Sequence, residues 1–231
     1  MKKNQGNRPL YRAALAILLG CVSGMALAAA DVAAPWQDWH STGTGVEAHD
    51  AVLSVTTSQI DAGGVAVSPL LTIDPTKVIV VARRVRLAYG SAWTAMGMSL
   101  VFDQTPDILN TLAYGLKPKG VFVTYARYRF ANDQMREVEG AYIGDGSAEK
   151  KSSVVGEPGE VPWGAWFQEK VVFNPQTGDA ELWINEQRVS HCNVGRLSPQ
   201  QRYLKLYLDA YGWYTGHAQE TRDLSVTQVV Y

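Results

Sequence analysis

Between residues 166 and 213 the chain alternates apolar and polar side chains with a period of two, which restricts this segment to β-strands. The alternation is clearest over Tyr203–Tyr211, where leucines occupy the even positions and aromatic or charged residues occupy the odd ones. Successive side chains on a strand point to opposite faces of the sheet. The pattern therefore predicts a strand with Leu204, Leu206 and Leu208 in a core and a tyrosine-rich face on the other side.

The rest of the chain shows no convincing helical period, and alternating or β-branched runs recur between Gly, Pro, Asn and Asp. Regularly spaced strands without intervening helices predict an all-β fold, a two-sheet antiparallel β-sandwich of the jelly-roll type. Residues 145–162, rich in Gly, Ser, Glu and Pro, are predicted to form an exposed loop. The predicted strands are Ala51–Thr57, Gly64–Ser68, Val78–Leu87, Ala95–Phe102, Thr111–Leu116, Gly120–Phe130, Val138–Ile143, Trp166–Phe173, Ala180–Asn185, Tyr203–Tyr211 and Thr221–Val230.

The first thirty residues have the order of a Sec signal peptide. Basic residues stand at the start, an apolar run follows as far as Cys21, and the segment ends in small residues. We predict cleavage after Ala28 or Ala30. A lead-in over residues 31–50 and one sandwich domain over residues 51–231 would follow, and that length is sufficient for a single substantial core.

The string Leu18-Leu19-Gly20-Cys21 also fits a lipoprotein box, in which Cys21 would carry a lipid anchor. Residues 22–34 stay apolar, whereas a lipoprotein usually continues with a polar tether, so ordinary cleavage is favoured. Ordinary cleavage predicts a periplasmic or secreted protein, and lipidation predicts an outer-membrane lipoprotein. No later segment approaches the ~20 apolar residues of a transmembrane helix, so none is predicted in the mature chain.

Removal of the signal peptide changes the charge balance. It takes four of the 21 basic residues and none of the 22 acidic ones, which leaves 17 against 22 and a net charge of −5. Nucleic acid is excluded as a partner because phosphate binding relies on clustered Lys and Arg. After ordinary cleavage Cys192 is the remaining cysteine, so no internal disulfide is expected. No base or metal spacing surrounds Cys192, which is therefore interpreted as a structural thiol and not as a nucleophile.

The order of elements in the C-terminal half resembles the concanavalin A-like lectin/glucanase jelly roll, in its laminin-G-like form. The features that match are Trp166 before a strand, the turn at residues 174–179, a strand closing on Trp183-Ile184-Asn185, the strand from Tyr203 and a returning strand over residues 221–227. The family has Asn-Gly after the turn and its strand, whereas Glu186 follows Asn185 here. The resemblance implies two curved sheets with a concave face on which many relatives hold glycans, and it implies no particular activity.

The residues themselves indicate the same class of ligand. A sugar ring offers an apolar face and a rim of hydroxyl groups, so aromatic side chains beside charged hydrogen-bonding groups suit it. We therefore predict a glycan or polysaccharide as the partner and no cofactor. The predicted ligand-binding residues are Tyr125, Arg127, Arg129, Tyr203, Lys205, Tyr207, Asp209, Tyr211, Trp213 and His217.

Two strands supply arginines to this prediction. Gly120–Phe130 places Arg127 and Arg129 on one face, and Val78–Leu87 carries Arg84 and Arg86. If both strands lie beside the Tyr203 strand, their cations converge with the tyrosines on one surface. Such a surface would suit an acidic polysaccharide.

A polysaccharide lyase using the same groove is an alternative. It would need a Tyr or His as base and acid, with Arg to neutralise a uronate carboxylate. Tyr207, Tyr211, His217, Arg127 and Arg129 are residues of suitable type. The string Tyr203-Leu204-Lys205 is similar to a fragment of the alginate-lyase signature, but Asp209 stands where that signature has its second tyrosine.

Three further alternatives have weaker support. A glycoside hydrolase would need a strand of paired carboxylates, and Glu137 and Glu139 share a face while Tyr142 replaces the last carboxylate of the laminarinase-type motif. A protein-interaction or structural cell-envelope domain would use the tyrosine face as a partner surface. A structural calcium ion has no clustered carboxylate run to hold it, since Asp145, Asp179 and Asp209 are far apart in the chain.

Overall fold

The structure is a computed structural model that describes residues 39–43, 45–49, 51–56, 62–88, 94–102, 120–131, 134–145, 161–212 and 218–230. In these ranges the chain forms fourteen strands and no helix, so no described segment is a helix able to span a membrane. The strands are β1 (His40–Gly43), β2 (Val46–His49), β3 (Val52–Thr56), β4 (Ala62–Val67), β5 (Leu71–Thr72), β6 (Val78–Ala88), β7 (Thr94–Val101), β8 (Gly120–Ala131), β9 (Gln134–Gly144), β10 (Trp166–Phe173), β11 (Asp179–Ile184), β12 (Gln187–Asn193), β13 (Tyr203–Gly212) and β14 (Ala218–Val229).

These strands form two antiparallel sheets of seven strands each. The β13 sheet has the order β1-β4-β13-β7-β8-β9, and the short β5 also pairs with β13. The β6 sheet has the order β12-β11-β10-β6-β14-β3-β2. Strands far apart in the chain lie side by side in both sheets, as expected for a jelly roll.

The inner faces of the two sheets enclose one hydrophobic core. Leu204, Leu206 and Leu208 are fully buried, which confirms the predicted leucine face of β13. The β6 sheet contributes Ile79 and Val81 among other fully buried residues. Because each such side chain stabilises the fold by roughly 1.5–3 kcal/mol when it leaves water, this core supports the fold without a disulfide.

The main hairpin follows the predicted bounds closely. β10 has the predicted limits, and β11 begins one residue early after a turn in which the side chain of Asn174 accepts hydrogen bonds from the N–H groups of Gln176 and Thr177. Gly178 closes this turn with φ at 84°, a left-handed conformation that glycine adopts without a steric cost.

Other predictions need correction. Residues 187–193, for which no strand was predicted, form β12. Two further strands that were not predicted, β1 and β2, lie within the lead-in over residues 31–50 and pair within the two sheets. β4 and β9 each begin before their predicted limits. The predicted strand Thr111–Leu116 lies outside the described residues.

A two-residue turn joins β11 to β12. φ is 46° at Asn185 and 67° at Glu186, and a type I′ hairpin turn requires positive φ at both of these positions. The side chain of Asn185 accepts a hydrogen bond from the N–H of Gln168, and its own N–H donates to the Gln168 carbonyl, both at 3.0 Å. Glu186 therefore adopts the conformation that the related fold gives to glycine.

Candidate functional site

On β13 the side chains of Tyr203, Lys205, Tyr207 and Asp209 lie on the side of the sheet that faces away from the main core. Cross-strand partners share a face, so register identifies their neighbours on β4, β7, β8 and β9. We call this surface the Tyr207 face. The predicted ligand-binding residues that the structure brings together on it are Tyr203, Lys205, Tyr207 and Asp209.

Tyr207 lies at the middle of the Tyr207 face. Its partners in register are Val67 on β4 and Ser99 on β7, and Phe122 follows on β8. The side chain is 1% exposed, and its hydroxyl group has no hydrogen-bond partner. Burial raises the pKa of Tyr207, so the group is a neutral hydroxyl at physiological pH.

Asp209 lies one step further along the same face. Its row contains Val65, Gly97, Thr124 and Tyr142. Asp209 is half-buried, as is Lys205, whereas Tyr203 is 37% exposed. The face therefore combines an exposed aromatic ring, a cation, a carboxylate and a buried hydroxyl along one strand.

The backbone beneath Asp209 is held from the opposite sheet. Gln219 on β14 is fully buried, and its amide nitrogen donates to the carbonyl oxygens of Gly97 and Asp209, both at 2.9 Å. A Cβ on Gly97 would lie 1.8 Å from the carbonyl oxygen of Val123, so this position accepts no side chain. The two features fix the position of the backbone that carries the Asp209 carboxylate.

Tyr125 is placed differently from our prediction. It is a partner of Met96, which in turn pairs with Ala210, so its side chain faces the core and not the Tyr207 face. It packs edge-on against Phe167 with ring centroids 5.8 Å apart. A ligand on the outer surface cannot reach this fully buried ring, and its assignment to the ligand-binding surface was wrong.

The hydroxyl of Tyr125 instead completes a buried polar cluster between the sheets. Arg83 donates to both oxygens of Glu169, at 2.6 and 3.0 Å, and also to the Thr221 hydroxyl at 2.9 Å. Tyr125 donates to Glu169 from the other sheet. Burial and the negative charge of Glu169 raise the pKa of Tyr125 well above its ordinary value, so this hydroxyl keeps its proton.

The expected convergence of arginines is also wrong for β6. Arg84 and Arg86 lie on β6, which belongs to the opposite sheet from β13, so they cannot join the Tyr207 face. The remaining calls stay predictions. Arg127, Arg129 and Tyr211 lie on described strands, but their side chains are outside the described part of the structure, as are the whole of Trp213 and His217.

Cys192 and Asp179, considered above as a possible nucleophile and a possible calcium ligand, both occupy positions that support the fold. Cys192 is buried, and its burial, with smaller contributions from Asp145 and Asp179, raises the pKa of its thiol to about 12. Asp179 belongs to the hairpin turn, where hydrogen bonds from Thr177 and Asn193 lower its pKa. Among the described residues, no three His, Cys, Asp or Glu side chains form a group that could hold a metal ion.

Several residues of the Tyr207 face were not predicted. Ser99, Phe122, Thr124 and Tyr142 share this face because β7, β8 and β9 follow β13 in the sheet, an order that a single sequence does not encode locally. The alternation of β8 did separate Phe122 and Thr124 from Tyr125. Identifying β7 as the strand between β8 and β13 would have assigned Phe122 and Thr124 to the correct face.

The fold and the face define the structural class. The chain has the concanavalin A-like jelly roll, with two seven-stranded antiparallel sheets and a core between them. No protein-family model and no curated protein matches the sequence.

Solved lectin structures share this fold across most of the chain. The carbohydrate recognition domain of Emp46p in its potassium-bound form aligns with a TM-score of 0.58 and 12% identity, over 83% of this chain and 88% of that domain. Lectin II from Ulex europaeus aligns with a TM-score of 0.60 and 9% identity, over 83% and 93% of the two chains. Winged bean acidic lectin complexed with methyl-α-D-galactose aligns with a TM-score of 0.60 and 11% identity, over 84% of this chain and 94% of that chain. At these identities the likeness concerns the fold.

Proposed function

We propose that this protein binds a glycan on the Tyr207 face without catalysing a reaction. The observation that carries the proposal is one strand face that presents the exposed Tyr203 ring together with the half-buried Lys205 cation and Asp209 carboxylate. Tyr207 is buried between them and supports this face from below. Glycan hydroxyl groups both donate and accept hydrogen bonds, so they suit a cation and a carboxylate on one surface.

The rest of the Tyr207 face suits the same ligand. Tyr203 offers a partly exposed aromatic surface to the apolar side of a sugar ring. The Asp209 carboxylate accepts charge-assisted hydrogen bonds, and the Lys205 ammonium donates them. The structures of similar fold include lectins, among them one solved with galactose and one with methyl-α-D-galactose, and this supports a glycan as the ligand class.

Catalysis is less well supported than binding. A lyase base must give up its proton near neutral pH, and the raised pKa of Tyr207 opposes that role. Tyr207 is therefore better suited to a structural position under the face than to proton transfer.

The test is a binding screen of the purified protein against neutral and acidic polysaccharides by native affinity electrophoresis. We expect retardation by at least one polysaccharide, without the ultraviolet absorbance of an unsaturated product. Asp209→Asn should weaken that interaction about tenfold or more, because hydrogen bonds to charged groups contribute roughly 1.5–3 kcal/mol. Lys205→Gln removes the ammonium donor from the same face and should weaken it about tenfold or more for the same reason.

Asp223→Asn is the matched control. Asp223 lies on the β6 sheet with φ at 53°, a conformation that Asn also adopts, and the change removes one carboxylate just as Asp209→Asn does. Binding should be unchanged in this variant. Equal binding by Asp209→Asn, Lys205→Gln and the unaltered protein would refute the assignment to the Tyr207 face. Product absorbance would make the lyase the better hypothesis.

We further propose that the protein is exported and loses its first 28 or 30 residues. The support is the order of basic, apolar and small residues in the N-terminal segment. Intact-mass measurement of the protein from its native host should give a chain that begins at Ala29 or Asp31. A chain that begins at a lipidated Cys21 would support the lipoprotein alternative, and an uncleaved chain would contradict export by this route.

A further inference from the structure

The outer face of the β6 sheet carries a group of cations around an indole ring. Trp166 on β10 pairs in register with Arg86 on β6, and Arg86 pairs with Glu220 on β14. One step along, Arg84 pairs with Arg222. We call this surface the Trp166 face. It lies on the opposite side of the sandwich from the Tyr207 face, so it does not depend on the proposed function.

Arg84 and Arg222 stand directly opposite each other on adjacent strands. Like charges in this position are unfavourable for a sheet. Arg222 has a buried Nε without a hydrogen bond, and its ion pair with the exposed Asp223 spans 3.8 Å. Among the described residues, no carboxylate lies within ion-pair distance of Arg84. The pair therefore leaves positive charge that the surrounding strands do not neutralise.

Trp166 holds two of these guanidinium groups in place. The ring centroid lies 4.4 Å from the Arg222 guanidinium carbon and 5.3 Å from that of Arg86. Stacking on an aromatic ring limits the freedom of a guanidinium while leaving its N–H edge available to an anion. Arg86 is also paired with Glu220, so Arg84 and Arg222 are the less neutralised donors of the face.

A shallow depression of about 250 Å³ lies beside Arg86, at one end of the Trp166 face. Its lining includes Arg86 and Glu220, and small residues at the remaining positions (Ala88, Gly164 and Ala218) leave room for a ring-sized group. A sugar ring in the depression would therefore lie next to cationic and carboxylate side chains at once.

The positive charge continues across the sheet. On β10 the Lys170 ammonium lies 4.5 Å from the ring centroid of Trp183 on β11, and Arg188 on β12 is the partner of Trp183 in register. Carboxylates are present as well: Glu181 pairs with Arg188 at 2.8 Å, and Glu47 lies on the edge strand β2. The central strands nevertheless present a row of cations on a chain whose mature net charge is predicted to be −5.

We propose that the Trp166 face binds an acidic polysaccharide, with Arg84 and Arg222 donating hydrogen bonds to its anionic groups. A guanidinium matches the planar, two-oxygen geometry of a carboxylate and also binds sulfate oxygens. A polymer fits better than a single small anion, because cations that are unpaired or partly paired among the described residues recur on β14, β6 and β10, and the depression beside Arg86 accepts a neighbouring ring. One anion between Arg84 and Arg222 would remove the like-charge contact described above.

The experiment titrates the folded protein with polygalacturonate and, as a matched probe, with its fully methyl-esterified form, using calorimetry at two salt concentrations. We expect the acidic polymer to bind and the ester not to bind. Added salt should weaken the interaction because it screens exposed charges. The double variant Arg84→Gln/Arg222→Gln should bind about tenfold or more weakly, since each charge-assisted hydrogen bond contributes at least tenfold to affinity.

Two variants serve as controls. Arg188→Gln removes the same charge from the same face, but its guanidinium already pairs with Glu181, so binding should change less than about twofold. Asp209→Asn, measured in parallel, separates the two surfaces: an equal loss of polygalacturonate binding in this variant would assign the polymer to the Tyr207 face. Circular dichroism confirms that each variant folds.

Several results would overturn the proposal. Absence of polygalacturonate binding, equal loss in Arg188→Gln, or full binding by the double variant would each do so. Binding to vesicles of anionic phospholipid with none to the polymer would assign the face to a membrane surface instead. A lower thermal midpoint in Arg84→Gln, contrary to relief of a like-charge pair, would assign the arginines to stability.

Discussion

At the scale of single residues, the ion pair between Arg83 and Glu169 is the least expected feature of the core. Both side chains are fully buried, and burying separated charges costs several kcal/mol each. Here Arg83 donates one hydrogen bond to each oxygen of Glu169, Thr221 accepts a further bond from Arg83, and Tyr125 donates to Glu169. The intact pair is therefore tolerated in the core, whereas removal of one partner destabilises the fold.

Arg83→Met should lower the free energy of unfolding by about 3–5 kcal/mol, because it leaves the Glu169 carboxylate buried without its cation. The double variant Arg83→Met/Glu169→Leu should recover most of that loss, since both charges are then absent. Urea denaturation of the two variants measures the difference. A double variant as unstable as Arg83→Met would show that packing around Arg83 matters more than its charge.

Alternation could predict that Arg83 shares a face with Val81 and Val85, which are core residues, but not that a charge would be tolerated there. The partner that makes it tolerable comes from β10, 86 residues later in the chain. The same limit explains the error at Tyr125. Its face was read from neighbouring arginines on β8, whereas the side chain is held by Glu169 from the other sheet.

At the scale of strands, hairpins with strong turn signals were predictable and those without them were not. β10 and β11 follow from a turn with Asn174, Pro175 and Gly178. β12 was missed because its turn, Asn185-Glu186, lacks glycine and its outward residues are polar. Propensity and alternation describe only local preferences. Here the conformation of the turn is stabilised by the hydrogen bonds between Asn185 and Gln168 on β10.

Gly97 on β7 gives a strand-scale prediction. Gly97→Ala places a Cβ against the carbonyl oxygen of Val123, so β7 and β8 must separate, and we expect a loss of about 3 kcal/mol in the free energy of unfolding. The change should also weaken glycan binding by displacing the backbone of Asp209. Thermal unfolding monitored by circular dichroism, together with affinity electrophoresis, measures both effects.

Gly144→Ala on β9 is the matched control for Gly97→Ala. Nothing lies within 4 Å of the new Cβ, and the backbone does not adopt positive φ there. Stability should be unchanged or slightly raised, because alanine restricts the unfolded chain more than glycine does. If both alanine variants were equally stable, the close approach of β7 and β8 would have to be smaller than the structure shows.

At the scale of the whole molecule, sequence alternation predicted the fold class but not which strands are neighbours. The leucine face of β13 was correct, and the jelly roll is confirmed by the structures of similar fold. The β6 arginines were expected to join the predicted site if their strand lay beside β13, yet β6 lies in the opposite sheet. Strand order depends on contacts between segments that are distant in the sequence. These contacts stabilise the chain only once the sandwich has assembled.

The position of β14 has a consequence for how the protein is made. β14 is the last of the fourteen described strands, yet it pairs with both β6 and β3 in the interior of its sheet. Until residues 218–229 have been synthesised, β6 has one open edge and the β2–β3 hairpin has no attachment to it. The β6 sheet therefore cannot close before these residues emerge, and until then its apolar strands expose surface that favours aggregation.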